Sequence, residues 1–413
     1  MNFYSRADVR AHATRDDAWT IVDGNVYDVT TWIPRHPGGD RLLLAFAGRD
    51  CTDEFAAFHR PEVRKRLDAF LVGETGPEDD EPSKRRESLS KLREDLLERG
   101  AFDVDERYLA LCIVRLATFL GVATLLVRAN ATIVAAVFLG LFEQQCLLLA
   151  HDFLHGSAVG GRDLSFWCGW VVGTVAGGVG AAWWRRDHFA HHALTNVLDH
   201  DPSAGAEPFV FISHRQFQRK PRARWERWLL RAQTNAYFPL CVFFGRLNLH
   251  LVSVLVSPTP LVDGVGVLLY LAWNLAFLSP RAWFVSHVVC SVLHLQLNVG
   301  HYPAPMTTKD EMHDAGFLAH QAKTTVNVSC SRWTHWFHGG LEYQIEHHLF
   351  PDIPARRYAA LSVEVREICE RYGQHYNTGP MAVQFTQVVW RIVRFAFPGG
   401  RPSFNARRTV TES

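Results

Sequence analysis

The middle of this chain alternates between long, mostly hydrophobic segments and short polar ones. Residues 108–127 and 131–150 form one closely spaced pair of hydrophobic segments, and residues 261–278 and 282–300 form another. Each segment is long enough to cross, as a helix, a hydrocarbon layer of about 30 Å. The pattern therefore predicts two helical hairpins that span a membrane, and each hairpin returns the chain to the side from which it came.

Two further segments are hydrophobic enough that, taken alone, the first of them would also be predicted to span the membrane. Residues 164–184 are uncharged but contain five glycines, and residues 236–256 include Arg246, Asn248 and His250. If residues 164–184 crossed the membrane, the histidine-rich stretches on either side of them would lie on opposite membrane faces. We therefore predict in-plane or re-entrant helices in both segments.

The N-terminal part is polar and has the pattern of a small mixed domain. Residues 19–30 predict two short strands joined by a turn at Asp23-Gly24-Asn25, because β-branched and aromatic residues flank a glycine-containing turn. Residues 74–88 are charged and contain proline, which is typical of a flexible tether. The first thirty residues carry charges without a hydrophobic core, so we expect no signal peptide and a cytosolic N-terminus.

A short amphipathic helix is predicted after the tether. Leu89, Leu92, Leu96 and Leu97 follow helical spacing, and Gly100 is a suitable stop. The apolar face of this helix would lie either on the membrane surface or on the rest of the protein. An ordinary solvated helix that covers a core fits the same spacing.

Charge and cysteine content narrow the class of protein. The formal net charge is +1, which implies no nucleic-acid partner. Seven Lys and Arg residues lie between Lys84 and Arg107, and this excess places that end of the first hairpin in the cytosol. The eight cysteines contain no Cys-x-x-Cys pair, so buried free thiols are favoured over disulfides.

Three histidine clusters lie near the ends of the hydrophobic segments. They are His151-Asp-Phe-Leu-His155, His188-Phe-Ala-His191-His192 and Gln344-Ile-Glu-His347-His348. Spacings of three or four residues place two imidazoles on one face of a helix, and imidazole is a common ligand of iron, copper and zinc. A single pair would more often be structural, whereas three pairs in this setting favour a metal centre. Seven imidazoles exceed the capacity of one octahedral ion, and zinc is usually satisfied by four ligands, so two irons are the economical interpretation.

A different metal site is indicated in the N-terminal part. The turn His36-Pro37-Gly38-Gly39 is followed 23 residues later by His59. Together with the strand Val26-Tyr-Asp-Val-Thr30, this segment resembles cytochrome b5 over about residues 3 to 74. The resemblance implies a haem b with His36 and His59 as its axial ligands. Two axial imidazoles leave no open position for oxygen, so such a haem only passes electrons.

Several further segments accompany the histidine clusters. They are Trp183-Trp184, Asn196, Asp199-His-Asp201-Pro202, Thr325-Val-Asn-Val328, Trp336-Phe-His-Gly-Gly-Leu341 and the stretch from Gln344 to Pro351. With these segments, the chain from about residue 3 to 375 is similar to the cytochrome b5-fused front-end class of membrane fatty acid desaturases. The resemblance implies a multidomain fold: a small α+β cytochrome b5-like haem domain, then an all-α transmembrane histidine-box desaturase domain with four spanning helices plus in-plane helices.

The same resemblance gives expected domain boundaries. The haem domain would cover residues 1–74, the linker and amphipathic helix 75–100, the desaturase domain 101–380 and a C-terminal tail 381–413.

The resemblance also implies which residues hold the metals. The expected iron ligands are His151, His155, His188, His191, His192, His347 and His348. Gln344 stands where other membrane desaturases have a histidine, and Asn298 and His301 lie at the end of the last span. These three are candidates for further ligands or for residues that orient ligands. His335 replaces the Asp that usually precedes Trp-Phe, and Glu143, inside a span, is expected to face the interior of the helix bundle.

The resemblance implies an oxygen-dependent enzyme with haem b and two iron ions as cofactors. An NADH-cytochrome b5 reductase would supply electrons to the haem, which would pass them singly to the irons. The expected reaction inserts a double bond into an unsaturated fatty acyl chain, between an existing double bond and the carboxyl end. We expect an endoplasmic reticulum membrane protein whose haem domain and histidine clusters face the cytosol; residues 407–413 carry no retention signal.

Three alternatives stay open. The sequence Ser329-Cys-Ser-Arg-Trp333 also resembles plant cytochrome b5-fused desaturases that act on sphingolipid long-chain bases. Hydroxylation of a lipid by a similar two-iron centre is disfavoured by Gln344. A non-catalytic membrane electron carrier is disfavoured by the intact histidine clusters.

Overall fold

The computed structural model describes residues 2–76, 84–204, 223, 225 and 245–396. Residues 236–244 of the second predicted in-plane segment lie outside the described residues, and so do Cys241 and the C-terminal residues 407–413. The seven cysteines within the described residues all carry free thiols, as the sequence predicts.

The N-terminal part is a small mixed unit of strands and helices. Its strands are β1 (Phe3–Tyr4), β2 (Ala13–Thr14), β3 (Asp17–Val22), β4 (Asn25–Asp28), β5 (Arg49–Asp50) and β6 (Leu71–Thr75). They form one sheet in the order β1-β6-β4-β3-β2, with β5 paired to β3. The predicted hairpin is confirmed: β3 and β4 are antiparallel, and Asp23 and Gly24 both have positive φ, as a tight two-residue hairpin turn requires.

Three short helices complete this unit and position two histidines. They are α1 (Arg6–Ala11), α2 (Asp40–Phe46) and α3 (Thr52–Phe58), accompanied by the 3₁₀ segments Thr30–Arg35 and Pro61–Phe70. The core contains Ala18, Val22, Tyr27, Val29, Ile33 and Ala47. His36 directly follows the first 3₁₀ segment, and His59 directly follows α3. Both histidines are therefore held at the ends of packed elements.

The remainder of the described chain is mostly helical. In chain order its helices are α4 (Lys84–Glu98), α5 (Glu106–Arg128), α6 (Thr132–His155), α7 (Arg162–Gly169), α8 (Ala181–Ala193), α9 (Gly245–Leu255), α10 (Pro260–Phe277), α11 (Pro280–His301), α12 (Lys309–Ala315), α13 (Phe317–Thr324), α14 (His335–His338), α15 (Gln344–Leu349), α16 (Tyr358–Arg371) and α17 (Met381–Ala396). Two short strands, β7 (Asn327–Ser329) and β8 (Thr378–Pro380), pair in parallel.

Four of the described helices, α5, α6, α10 and α11, are long and hydrophobic enough to cross a membrane. This confirms the four predicted spans. Helices α6 and α11 approach closely, because a Cβ added at Gly140 would lie 2.6 Å from the carbonyl oxygen of Ser286. Glycine is the residue that permits this contact between backbones.

The segment between the two hairpins turns back on itself. Helix α7 continues as a π-helical stretch, Trp170–Ala176, and then bends by 111° into α8. The Asp263 carboxylate accepts hydrogen bonds from the backbone N–H groups of Ala182 and Trp183, at 3.2 and 3.1 Å, and so caps α8. The segment begins close to His155 and ends with His188, whose ring lies 5.0 Å from that of His155. It therefore returns to the side it left, as the re-entrant prediction requires.

Helix α4 joins the N-terminal unit to the helical part. It begins at Lys84, inside the predicted tether of residues 74–88, whose first two residues belong to β6. Arg86 forms ion pairs with Asp50 at 2.8 Å and with Asp53 at 3.4 Å. The apolar face packs on the rest of the protein, which settles the alternatives left by the sequence. Three of its four leucines, Leu89, Leu92 and Leu96, belong to a core cluster with Phe317, Ile345, Leu349 and Tyr358, whereas Leu97 is exposed.

The C-terminal segment, expected as a tail from residue 381, begins with helix α17. Val388 and Ile392 of this helix pack against Val299 of α11 and against Met306. The segment thus covers the end of the last span, close to His301.

Candidate metal centres

The three histidine-rich segments of the sequence, 151–155, 188–192 and 344–348, are here called the first, second and third histidine box. They lie on three different helices that end in one place. His151 and His155 occupy the last turn and a half of α6, which stops at Gly156 with φ +85°. Helix α8 carries the second box, and α15 carries the third. Most of these rings are buried, and His192 and His348 are fully inaccessible. Residues far apart in the sequence therefore share one enclosed site.

The first histidine cluster consists of His151, His155, His188 and His347. One ring nitrogen from each lies within 4.8 Å of the others. His151 Nε2 and His347 Nε2 are 3.0 Å apart. Four imidazoles at this spacing have the geometry of ligands around one metal ion.

The second histidine cluster consists of His191, His301 and His348, again with ring nitrogens within 4.8 Å of one another. His191 Nε2 and His301 Nε2 are 3.3 Å apart. His192 lies between the two clusters: its Nε2 is 2.9 Å from His188 Nε2, and its ring stacks on that of His348 with centroids 4.1 Å apart. The two clusters are therefore adjacent.

The three residues that the sequence proposes as additional ligands lie at the end of α11 or at the start of α15. Gln344 Nε2 donates a hydrogen bond to the carbonyl oxygen of Leu341 at 3.0 Å. The Gln344 side chain also lies against α11, where a Cβ added at Gly300 would be 2.8 Å from its Cγ. Asn298 is half-buried on α11, and its carbonyl oxygen accepts a hydrogen bond from the Tyr302 N–H at 2.8 Å. The third candidate, His301, contributes a ring nitrogen to the second cluster.

Several box histidines contact an outer partner through Nδ1. His191 Nδ1 lies 2.9 Å from the Asp201 carboxylate, and His347 Nδ1 lies 3.1 Å from the Tyr358 hydroxyl. His348 Nδ1 lies 3.0 Å from Gln321 Oε1 and 3.0 Å from Thr195 Oγ1. Such contacts fix the orientation of a metal-binding imidazole and leave Nε2 for the metal.

The unsatisfied nitrogens of the site fit a metal. Both ring nitrogens of His155 and Nε2 of His348 are buried and have no hydrogen-bond partner among the described residues. A buried polar atom without a partner costs about 1–3 kcal/mol, and a bound cation removes that cost. Burial lowers the pKa of His347 and His348 well below the ordinary histidine value, so both rings are in the neutral form that binds metals.

Sequence reasoning missed the outer partners. The motif containing Asp201 was visible, but its contact with His191 depends on how the chain returns after α8. Asn327, in another noted motif, donates a hydrogen bond to Glu346 at 2.7 Å and accepts one from the Ile345 N–H at 2.9 Å, and so holds α15 in place. Tyr358 belongs to no sequence motif that would have predicted its contact with His347.

The N-terminal unit holds the other predicted pair. The rings of His36 and His59 face each other with centroids 6.1 Å apart. This separation matches two metal–nitrogen bonds of about 2 Å each plus the two ring radii. Nδ1 of His59 lies 3.1 Å from the carbonyl oxygen of Phe55, which leaves Nε2 directed between the rings. Burial lowers the pKa of His36, and it lowers that of His59 to about 4, so both imidazoles are neutral near pH 7. A Cβ added at Gly38 would lie 2.9 Å from His36 Cε1, so the turn needs glycine there.

The N-terminal unit is packed directly against the histidine clusters. The ring of Phe58, the residue before His59, meets the ring of His192 edge to face with centroids 6.3 Å apart. It also contacts Phe189 and Phe317 at 6.4 and 6.2 Å. One aromatic side chain therefore lies between the two candidate metal sites.

Polar contacts hold the same interface. Arg49 Nη2 donates to the Asp310 carboxylate at 2.8 Å. His313 Nε2 lies 3.1 Å from the carbonyl oxygen of Ala45, and burial lowers the pKa of His313 to about 4.

Glu143 faces the bundle interior, as expected. Its carboxylate accepts hydrogen bonds from the Tyr270 hydroxyl at 2.8 Å and from Asn274 Nδ2 at 2.5 Å, and it lies 3.4 Å from the Arg246 guanidinium. The group ties α6, α9 and α10 together two helical turns before His151.

The chain is similar to known proteins over most of its length. The family profile described as "Fatty acid desaturase" matches residues 129–380, and that described as "Cytochrome b5-like Heme/Steroid binding domain" matches residues 5–76. The chain is 30% identical over 400 residues to a protein named Delta(8)-fatty-acid desaturase from Helianthus annuus, covering 91% of this chain and 87% of that protein.

Two other relatives have different names. A Delta 8-(E)-sphingolipid desaturase from Komagataella phaffii is 24% identical over 490 residues, covering 90% of each chain. An Acyl-lipid (9-3)-desaturase from Borago officinalis is 27% identical over 397 residues, covering 90% of this chain and 88% of its own. Among solved structures, the cytochrome b5 of Ostreococcus tauri virus 2 is 36% identical, with a TM-score of 0.17, and covers 17% of this chain and 94% of its own.

Proposed function

The chain belongs to the fatty acid desaturase family, with a fused cytochrome b5-like domain, and on that premise we propose that it is a front-end acyl desaturase. Such an enzyme uses O2 and haem-delivered electrons to insert a double bond into an unsaturated acyl chain, between an existing double bond and the carboxyl end. The observation that carries the proposal is the convergence of all three histidine boxes on one buried site beside the N-terminal unit.

The proposed iron ligands are the seven box histidines together with His301. The first cluster would hold one iron and the second cluster the other, while His192 lies where it can serve either. The iron pair would supply the O2-dependent removal of two hydrogens from an unactivated chain, which protein side chains alone cannot perform. The buried, unpartnered nitrogens of His155 and His348 support this assignment.

The chain's own residues orient and insulate this chemistry. Asp201, Tyr358 and Gln321 hold the Nδ1 sides of three ligands, so that each imidazole presents Nε2 to the interior of the site. The site is enclosed by buried helices, which keeps water away from a reactive centre. Because successive methylenes are chemically alike, only the position of the bound acyl chain selects the bond.

Electrons would enter through a haem b held between His36 and His59. An NADH-cytochrome b5 reductase is the proposed donor to that haem. The proposed domain division is a haem domain at residues 1–74, a linker and helix at 75–100, a desaturase domain at 101–380 and a C-terminal segment from 381. The chain is a membrane protein, and we propose the endoplasmic reticulum membrane, with the haem domain and histidine clusters on the cytosolic side.

A sphingolipid long-chain base is the second candidate substrate, because one relative is named a sphingolipid desaturase and aligns over 90% of the chain. Expression in yeast with supplied polyunsaturated fatty acids, followed by chromatography of fatty acids and long-chain bases, separates the two. The proposal predicts a new bond on the carboxyl side of an existing bond in the fatty acids. His348→Ala is the inactive control. A new bond in the long-chain base alone would favour the second candidate and overturn the first.

A further inference from the structure

A third group of metal-ligand side chains lies outside the histidine clusters. Cys330, His335 and Glu342 each place one ligand atom within 4.8 Å of the others. We propose that these three residues bind a zinc ion, separate from the two irons and from the haem.

The chain folds locally to bring the three residues together. Cys330 directly follows β7, and His335 is the first residue of α14. Gly339 and Gly340 then have φ of +62° and +93°, a conformation that favours glycine, and this turn brings Glu342 back beside His335. The site is therefore built from a single loop of thirteen residues, as structural zinc sites in other loops are.

The separations fit a metal-bound arrangement. Cys330 Sγ lies 3.8 Å from His335 Nδ1. Two ligands of a tetrahedral zinc, with bonds of about 2.3 Å to sulfur and about 2.0 Å to nitrogen, stand roughly 3.5 Å apart. His335 Nδ1 also contacts Glu342 Oε1 directly. These two atoms need to move apart only slightly for an ion to bind between them.

The environment of Glu342 points to a cation. Its side chain is 3% exposed, and its Oε2 is buried without a hydrogen-bond partner among the described residues. His335 gives this carboxylate one partner through Oε1, and the second oxygen is left with none. A buried carboxylate with an unsatisfied oxygen is costly, and a divalent ion bound by both His335 and Glu342 removes the cost. His335 is 36% exposed in its side chain, so an ion reaches the site from solvent.

The mixture of donors favours zinc. A thiolate, an imidazole and a carboxylate suit a borderline ion, whereas magnesium and calcium prefer oxygen ligands alone. Three protein ligands leave the fourth position to water. A cysteine binds zinc as the thiolate, so zinc binding at Cys330 releases the proton of the thiol.

This chain departs from the family pattern at the site, because His335 stands where the resemblance leads one to expect Asp. The exchange replaces an oxygen donor by a nitrogen donor beside a cysteine. A zinc ion there would fix the segment that leads into α15, since Glu342 precedes Gln344 by two residues and His347 by five.

The experiment measures metal content in the purified full-length protein, with an affinity tag that contains no histidine. The proposal predicts about one zinc per chain in addition to iron. Cys330→Ser and Glu342→Gln should each lower the bound zinc more than about tenfold at limiting free zinc, with iron content and haem absorbance unchanged. Cys168→Ser is the matched control, because Cys168 is a half-buried free thiol that belongs to no ligand group among the described residues, and it should keep the zinc.

Cobalt substitution provides a second measurement that does not depend on yield. Cobalt bound by a thiolate has a sulfur-to-metal charge-transfer absorption, which the all-histidine clusters cannot give. The band should appear in the wild-type protein and in Cys168→Ser, and it should be absent from Cys330→Ser. Wild-type protein without zinc and without the cobalt band, or zinc retained in both ligand variants, would overturn the proposal in favour of a metal-free His335–Glu342 pair.

Discussion

Phe58 and His192 meet edge to face with ring centroids 6.3 Å apart, although they belong to the N-terminal unit and to the second histidine box. Phe58 is covalently next to His59, a proposed haem ligand, and His192 is a proposed iron ligand. The two proposed redox sites are therefore joined by one packed aromatic contact.

Replacement of Phe58 should slow electron delivery. Phe58→Leu keeps an apolar side chain but removes the aromatic contact with His192. We expect reoxidation of the reduced haem in the presence of O2 and substrate to slow by about tenfold, equivalent to about 1.4 kcal/mol in activation free energy. Stopped-flow absorbance of the haem measures this rate. Phe3→Leu, an exposed position in β1, is the control and should be neutral. An unchanged rate in Phe58→Leu would mean that electrons take another path.

Asp201 should support iron binding without being a ligand. Asp201→Asn replaces the carboxylate that contacts His191 Nδ1 at 2.9 Å. Loss of such an outer partner usually costs about 10–100-fold in metal affinity or activity. Iron content after dialysis against a chelator, together with product formation, tests this. Asp95→Asn, on the exposed face of α4, is the control and should keep both its iron and its product formation. Full iron retention in Asp201→Asn would show that His191 needs no such partner.

His36→Ala should separate the two proposed cofactors. The variant would lose one of the two proposed haem ligands, so we expect the reduced-minus-oxidised haem spectrum and NADH-driven turnover to disappear. Non-haem iron content should stay at the wild-type level, because the histidine clusters lie on other helices. A haem spectrum that survives in this variant would contradict the assignment of His36.

The interface between the N-terminal unit and the helical part should weaken in mild acid. Burial lowers the pKa of His313 to about 4, against 6.5 for the free side chain. The unfolded chain therefore binds more protons than the folded chain between these two pH values, and stability falls as the pH drops from about 6.5 to about 4. Arg49 and Lys309 act in the same direction on this group and Asp310 opposes them. The unfolding midpoint of the protein, followed by haem absorbance between pH 7 and pH 5, measures the effect.

His313→Gln supplies the comparison for that measurement. Glutamine can keep a hydrogen bond to the carbonyl of Ala45 but does not titrate. The variant should show a flatter dependence of its unfolding midpoint on pH. An equally steep dependence in the variant would assign the acid sensitivity to other groups.

The sequence predicted what depends on local pattern. The four spans follow from runs of hydrophobic residues, and the returning path of residues 164–184 followed from the need to place His151 and His188 together. The start of α4 at Lys84 was not predicted, because the charged residues 84–88 look like a tether until Arg86 finds Asp50 and Asp53 in the folded chain. Whether Leu89, Leu92 and Leu96 face lipid or protein is likewise decided by distant partners.

The contacts around the site were beyond the sequence for the same reason. His301 was one of three candidates at the end of a span or in the third box, and its position against His191 depends on how α8 and α11 pack, which no spacing in the sequence gives. Tyr358 contacts His347, and Gln321 contacts His348 and the carbonyl oxygen of His192. No spacing in the sequence predicts these contacts with proposed ligands. Nothing in the sequence around Phe58 distinguishes it from other hydrophobic residues. Its proposed role in electron transfer follows only from its contact with His192.

The double attachment of α4 has a kinetic consequence. One end of this helix is bound to the N-terminal unit through Arg86, and three of its leucines are buried in the helical part. The N-terminal unit, which is the proposed electron donor, is therefore held in contact with the helical part rather than tethered loosely to it. Electron transfer from the proposed haem to the proposed irons then needs no diffusive encounter between separate molecules. Its rate should not depend on the concentration of soluble or membrane-anchored electron carriers. Free cytochrome b5 added in excess should compete poorly for the same docking surface. The fused N-terminal unit already occupies that surface, at an effective concentration that no separate molecule reaches.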